Sequence, residues 1–137
     1  MDNKSISQGT LLWEPDAEVV NRANITKYMQ WLASARDLTF EDYNSLWQWS
    51  VTEIEEFWQS LWEFFDIKAF KPFAGVLADR KMPGAEWFKG AELNYVEHVF
   101  RNRSANYPAL IFQSEIQPLI EISWDELHQK VASLASA

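Results

Sequence analysis

The pattern that most constrains this chain is an apolar repeat near its middle. Val51, Ile54, Phe57, Trp58, Leu61, Trp62 and Phe65 recur at steps of three and four residues. Thr52, Glu53, Glu55, Glu56, Gln59 and Glu63 fall between them. Residues three and four apart share one side of an α-helix, so the repeat predicts an amphipathic helix with an aromatic face turned to a core. Ser50 and Glu53 have the spacing of a capping box at its start. Val51, Ile54, Trp58, Leu61 and Trp62 are expected inside, and Glu53, Glu56 and Glu63 outside.

Upstream, Leu11-Leu12-Trp13-Glu14-Pro15 reads as an extended apolar anchor, because the residue before a proline avoids helix. Asp16 can cap a helix running to about Arg36, with Val20, Ala23, Tyr28, Trp31, Leu32 and Ala35 roughly on one face. A second helix is expected from Thr39, paired with Asp42, with Tyr43, Leu46 and Trp47 as its stripe.

Downstream, Pro72, Gly75, Pro83, Gly84 and Gly90 punctuate an irregular stretch with room for a short strand at Gly75–Ala78. Trp87 and Phe88 read as apolar anchors of a loop, and Glu92 to Arg101 as a helix with Leu93, Val96 and Phe100 on one face. The texture then changes. Ala109-Leu110-Ile111-Phe112 and Leu119-Ile120-Glu121-Ile122 predict a β-hairpin. Ser123-Trp124-Asp125-Glu126 is a capping box for a last helix carrying Leu127, Val131 and Leu134. Two strands make no independently stable sheet, so a new unit is expected to begin near Tyr107 and to be incomplete.

Composition narrows the classes. The chain has 137 residues, 47% hydrophobic and 23% charged, ordinary for one globular domain, but with eight Trp and nine Phe. Its net charge of −8 sits wholly in residues 1–66, which hold twelve Asp/Glu and four Lys/Arg, while residues 67–137 hold eight of each. An acidic front argues against a nucleic-acid or anionic-membrane partner. The absence of cysteine removes disulfides and thiolate chemistry. Met1-Asp2-Asn3-Lys4-Ser5 has no apolar signal region, and no apolar run nears ~18 residues, so a soluble cytoplasmic protein is expected.

Catalytic constellations are lacking in the sequence. His98 and His128 are thirty residues apart, each without a second His one turn away, so they do not have the spacing of a helical metal pair. Gly9, Gly75, Gly84 and Gly90 are isolated, whereas a phosphate cradle needs clustered backbone N–H groups. Glu53, Glu55 and Glu56 fall on the polar face, where a solvated helix start explains them better than acid–base catalysis. Trp47, Trp49, Trp58 and Trp62 could stack on bases or sugars, but they lack nearby Lys/Arg, and burial explains Trp58 and Trp62 better. No catalytic, cofactor-binding or metal-ligating residue is expected in this chain.

Several blocks in order resemble one family. These are Leu12-Trp13-Glu14-Pro15; Trp49-Ser50-Val51 with Phe57-Trp58 and Trp62-Glu63-Phe64; and Trp87-Phe88-Lys89-Gly90-Ala91-Glu92-Leu93-Asn94-Tyr95. Ala109-Leu110-Ile111 and Trp124-Asp125-Glu126-Leu127 with Val131 complete the set. Together they resemble the N-terminal segment of acetoacetyl-CoA synthetases, within the adenylate-forming acyl-CoA ligases. The resemblance implies an α+β fold: a mostly helical N-terminal extension, then a hairpin and helix that begin an incomplete α/β adenylation domain. It implies a loose segment at 1–10, the extension at 11–106 and the start of the AMP-binding domain at 107–137. It also implies that ATP, magnesium and coenzyme A are used by the complete enzyme, that this segment alone is inactive, and that the remainder of the adenylation domain is its partner. Without that remainder the hairpin is expected either to self-associate or to stay mobile. The alternative reading is a stand-alone, aromatic-rich helical binding module.

Overall fold

Six helices and two small antiparallel sheets form the described part of the chain, an α+β fold. The structure is a computed structural model that describes residues 7–136, so most of the expected loose N-terminus, residues 1–6, lies outside the described residues. The chain divides into two units at Asp66.

The first unit holds α1 (Ala17–Arg22), α2 (Asn24–Arg36), α3 (Tyr43–Thr52) and α4 (Ile54–Phe64). Asp16 caps α1 as expected, its carboxylate accepting from the Val19 N–H at 2.8 Å. The single helix expected to reach Arg36 is instead broken at Ala23, whose backbone is extended. There the Thr26 hydroxyl donates to the Val20 carbonyl at 2.6 Å, giving that oxygen a side-chain partner at the break. α2 ends on Asp37 in the left-handed conformation, φ 57°, and the Leu38 N–H closes back onto Leu32 O at 3.2 Å.

α3 begins at Tyr43, four residues later than Thr39. Asp42 is its cap, and Asp42 and Ser45 make the capping box that was expected one turn earlier. The break expected at Ser50 lies at Glu53, φ −99° and ψ 58°. Ser50 stays inside α3 because its hydroxyl bonds back to Trp47 O at 2.7 Å instead of capping a new helix. The shift resets the phase of the aromatic repeat. Phe57, Ser60, Leu61 and Phe64 of α4 point to the core, whereas Val51, Trp58 and Phe65 are 45%, 40% and 56% exposed. The expectation that Val51 and Trp58 are buried is therefore corrected. Glu53, Glu56 and Glu63 are exposed as expected.

The core of this unit is Tyr28, Leu32 and Leu46, lined by Met29, Trp31, Leu38, Phe40, Trp49, Phe57, Leu61 and Phe64. Its rings meet edge to face, as between Tyr28 and Phe64 at 5.1 Å and Trp49 and Phe57 at 5.9 Å. Ser60, fully buried, bonds the Tyr28 hydroxyl and donates to Phe57 O. Arg36 grips Glu63 through both Nε and Nη2.

Hydrogen bonds from the Ser45 backbone and side chain hold the Asp42 carboxyl below its usual range. A depressed folded pKa gives stability that is present above the unfolded value and lost as pH falls through the folded one. On acidification below the ordinary aspartate range, the first turn of α3 should therefore fray. Asp42→Asn should keep the cap and abolish that pH dependence, read from the Ser45 amide resonance.

The second unit opens with β1 (Gly75–Leu77) paired to β2 (Trp87–Lys89), with Gly75 opposite Lys89 and Leu77 opposite Trp87. Trp87 and Phe88 thus belong to a strand, where a loop was expected. Phe88 takes a positive φ of 47°, and its ring packs edge-on against Phe73 at 5.3 Å. The pair is extended by Lys71 opposite Glu92, where a Lys71 Nζ–Glu92 ion pair of 3.2 Å is added. α5 (Tyr95–Arg101) starts at an Asn94 cap, later than Glu92, and Leu93 and Val96 stay outside at 46% and 44% exposure. β3 (Leu110–Phe112) and β4 (Ile120–Ile122) form the expected hairpin, with Ile111 opposite Glu121. Ser123 caps α6 (Trp124–Ala135) as expected.

Candidate functional site: an uncovered hairpin

The two units differ in how much apolar surface they cover. The first has a core, whereas Val76 is the one buried hydrophobic residue among the described residues of the second. The exposure concentrates on the hairpin. Leu110, Ile111, Phe112, Leu119 and Ile120 are all 45–62% exposed, and Ile116 at its turn is 92% exposed. Successive strand residues point to opposite faces, so the Leu-Ile-Phe of β3 presents apolar side chains on both sides. Such a run belongs in a sheet covered on both faces. A two-stranded hairpin also leaves outward N–H and C=O groups on its edges, ready to pair with further strands. α6 adds Val131 and Leu134, the latter 80% exposed.

The residues considered for chemistry go to ordinary places. His98 Nε2 lies 3.2 Å from Lys68 N and 3.1 Å from Lys68 O, and His128 meets the Phe100 ring at 5.2 Å. Glu53, Glu55 and Glu56 are exposed. Trp49 packs on Phe40 and Phe57, while Trp47 is half exposed. Among the described residues no group of three or more His, Asp or Glu could hold a metal. Burial pushes the Tyr28 hydroxyl pKa up, with Ser60 and the Arg36 charge opposing, and the Glu86 carboxylate 2.8 Å away pushes Lys89 up. Both shifts have local structural causes.

Sequence reasoning missed an open groove of about 850 Å³ whose lining includes Arg103, Asn106, Tyr107, Glu121, Trp124 and Glu126. Periodicity gives no signal for a depression built from a loop, a strand end and a helix start. Glu121, Asp125 and Glu126 outnumber Arg103 there, and no glycine is among the lining residues. The residues present do not fit a nucleotide phosphate, whether or not magnesium accompanies it. No helix among the described residues is long and apolar enough to cross a membrane.

Residues 43–99, which span α3 to α5, match the family model described as acetyl-coenzyme A synthetase N-terminus. Over those residues the chain is similar to the N-terminal regions of acyl-CoA synthetases. Within that class it is similar to acetoacetyl-CoA synthetases. That of Rhizobium meliloti (strain 1021) is 31% identical over 92% of this chain, and that of Danio rerio 30% over 98%. The solved acetoacetyl-CoA synthetase from Streptomyces lividans superposes with a TM-score of 0.80 at 41% identity over 90% of this chain. The chain spans 19–20% of the length of these relatives.

Proposed function

We propose that this chain is the non-catalytic N-terminal portion of an ATP-dependent acetoacetate–CoA ligase. The observation that carries the reading is an apolar hairpin half exposed on both faces, in a chain that matches about a fifth of the length of acetoacetyl-CoA synthetases. Residues 11–106 serve as the helical extension, and 107–137 begin the adenylation domain, whose remaining strands cover β3 and β4. The complete reaction takes acetoacetate, ATP and coenzyme A to acetoacetyl-CoA, AMP and pyrophosphate, in the cytoplasm. A carboxylate is a poor acylating agent because oxide is a poor leaving group; adenylation supplies a good one, which the thiol of coenzyme A then displaces. The groups that bind ATP, magnesium and coenzyme A belong to the remainder of the enzyme. In this segment the work is positional: the hairpin presents its apolar side chains to that remainder.

The test is a chimaera in which this chain replaces the N-terminal fifth of the Streptomyces lividans enzyme. Acetoacetate-dependent exchange of labelled pyrophosphate into ATP should persist in the chimaera and be absent from this chain alone. Exchange by the isolated chain in clean material, or a folded chimaera without exchange, would overturn the reading.

A further inference from the structure

A second exposed apolar surface lies on the first unit. Tyr43, Trp47 and Val51 of α3 are 62%, 50% and 45% exposed. They stand four residues apart, so at about 100° per residue they form one slowly turning ridge. Leu46 and Trp49, which face the core, lie on another side of the same helix. At a rise of about 1.5 Å per residue the ridge is about 12 Å long, the contact length of two to three turns of a packed helix.

Charge decides what fits it. Residues 37–67 contain eight Asp/Glu and no Lys, Arg or His. Glu41 and Asp42 stand at the start of the ridge, and Glu53, Glu55 and Glu56 follow its end, all exposed. A straight apolar ridge with carboxylates at both ends complements a helix that carries an apolar stripe and cationic side chains beside it. Lys or Arg can also lie against the exposed faces of Tyr43 and Trp47. Nucleic acid and anionic lipid are repelled by the same carboxylates, and two copies of the ridge repel each other.

We propose that the Tyr43–Trp47–Val51 ridge docks a basic amphipathic helix of a partner protein, with Glu41, Asp42, Glu53, Glu55 and Glu56 pairing with its cations. This stands independently of the ligase reading, because it uses only the first unit. The probe is a 14-residue helical peptide of Leu and Lys, titrated into the isotopically labelled chain. The Trp47 indole resonance should shift, and affinity should fall roughly tenfold or more as salt is raised past the point where the Debye length reaches about 3 Å. Trp47→Ser with Val51→Ser, and separately Glu55→Lys with Glu56→Lys, should each weaken binding about tenfold or more while leaving the melting temperature close to that of the parent.

Equal binding of a Leu/Glu peptide, undiminished binding by either double variant, or shifts confined to residues 110–122 would overturn the proposal. Hydroxyl-radical footprinting of Trp47 in the Streptomyces chimaera distinguishes the other occupant. Trp47 should stay reactive there. Protection in an active chimaera would mean that the synthetase itself covers the ridge, which sinks the docking proposal and leaves the ligase reading intact.

Discussion

Leu32→Ala should remove most of the stability of the helical unit. Leu32 is fully buried and sits between Tyr28 and Leu46 in the only cluster of buried apolar residues described there. Truncating a buried leucine loses the transfer energy of its methyl groups and leaves a cavity, a cost of about 2–5 kcal/mol. The surrounding rings are large and held edge to face, so they cannot collapse into the hole without losing their own contacts. For a unit of this size each kcal/mol is worth roughly 4–8 °C, so a fall of about 10 °C or more is expected in the melting temperature. Trp58→Ala should cost less, because the indole is 40% exposed. If the two variants melted together, the assignment of the core would be wrong.

Ser60→Leu is the second large effect. Ser60 is the point at which α4 comes against α2 with no side-chain volume to spare, and its hydroxyl is the partner of Tyr28. Leucine adds bulk where none fits, typically about 1–3 kcal/mol. It also leaves the buried Tyr28 hydroxyl without its partner, a further penalty of about 1–3 kcal/mol. Ser60→Ala separates the two, since it loses the hydrogen bond but adds no bulk, and should fall well short of the leucine variant. A leucine variant as stable as the parent by urea unfolding would show that the helices do not approach closely at Ser60.

Much of this arrangement was legible in the sequence, and each error has its own physical cause. Asp16, Ser123 and the hairpin were found because each depends on local chemistry: a capping side chain, or two apolar runs joined by turn residues. The face of α4 was misread because Val51 to Phe65 is continuous in pattern but not in backbone. One residue, Glu53, leaves helical geometry, while the hydrogen bonds from Glu53 N to Trp49 O and from Phe57 N to Glu53 O run on past it. Periodicity cannot register a change of phase that costs so little. Ser60 in the core was hidden for a different reason. A serine reads as polar unless one knows that Tyr28, thirty-two residues away, brings a hydroxyl to meet it. Strand β2 was missed because Trp87-Phe88-Lys89 is short and its partner Gly75-Val76-Leu77 supplies the pairing. The candidate surface followed from the hairpin's composition, whereas the groove beside it arises from tertiary placement alone.

The measurement that bears most directly on the central claim is amide hydrogen exchange of residues 110–122 in this chain and in the Streptomyces chimaera. In the isolated monomer these amides should exchange about a hundredfold faster than those of Ile54–Phe64, a difference of about 3 kcal/mol in opening free energy. Leu110, Ile111, Phe112 and Ile120 of the strands are each 45% or more exposed. In the chimaera they should become as protected as the helix, because the added strands and helices bury them. Strong and equal protection of the hairpin and α4 in a verified monomer of this chain would mean that the hairpin is complete as it stands, and the account of it as the edge of a larger adenylation domain would fail.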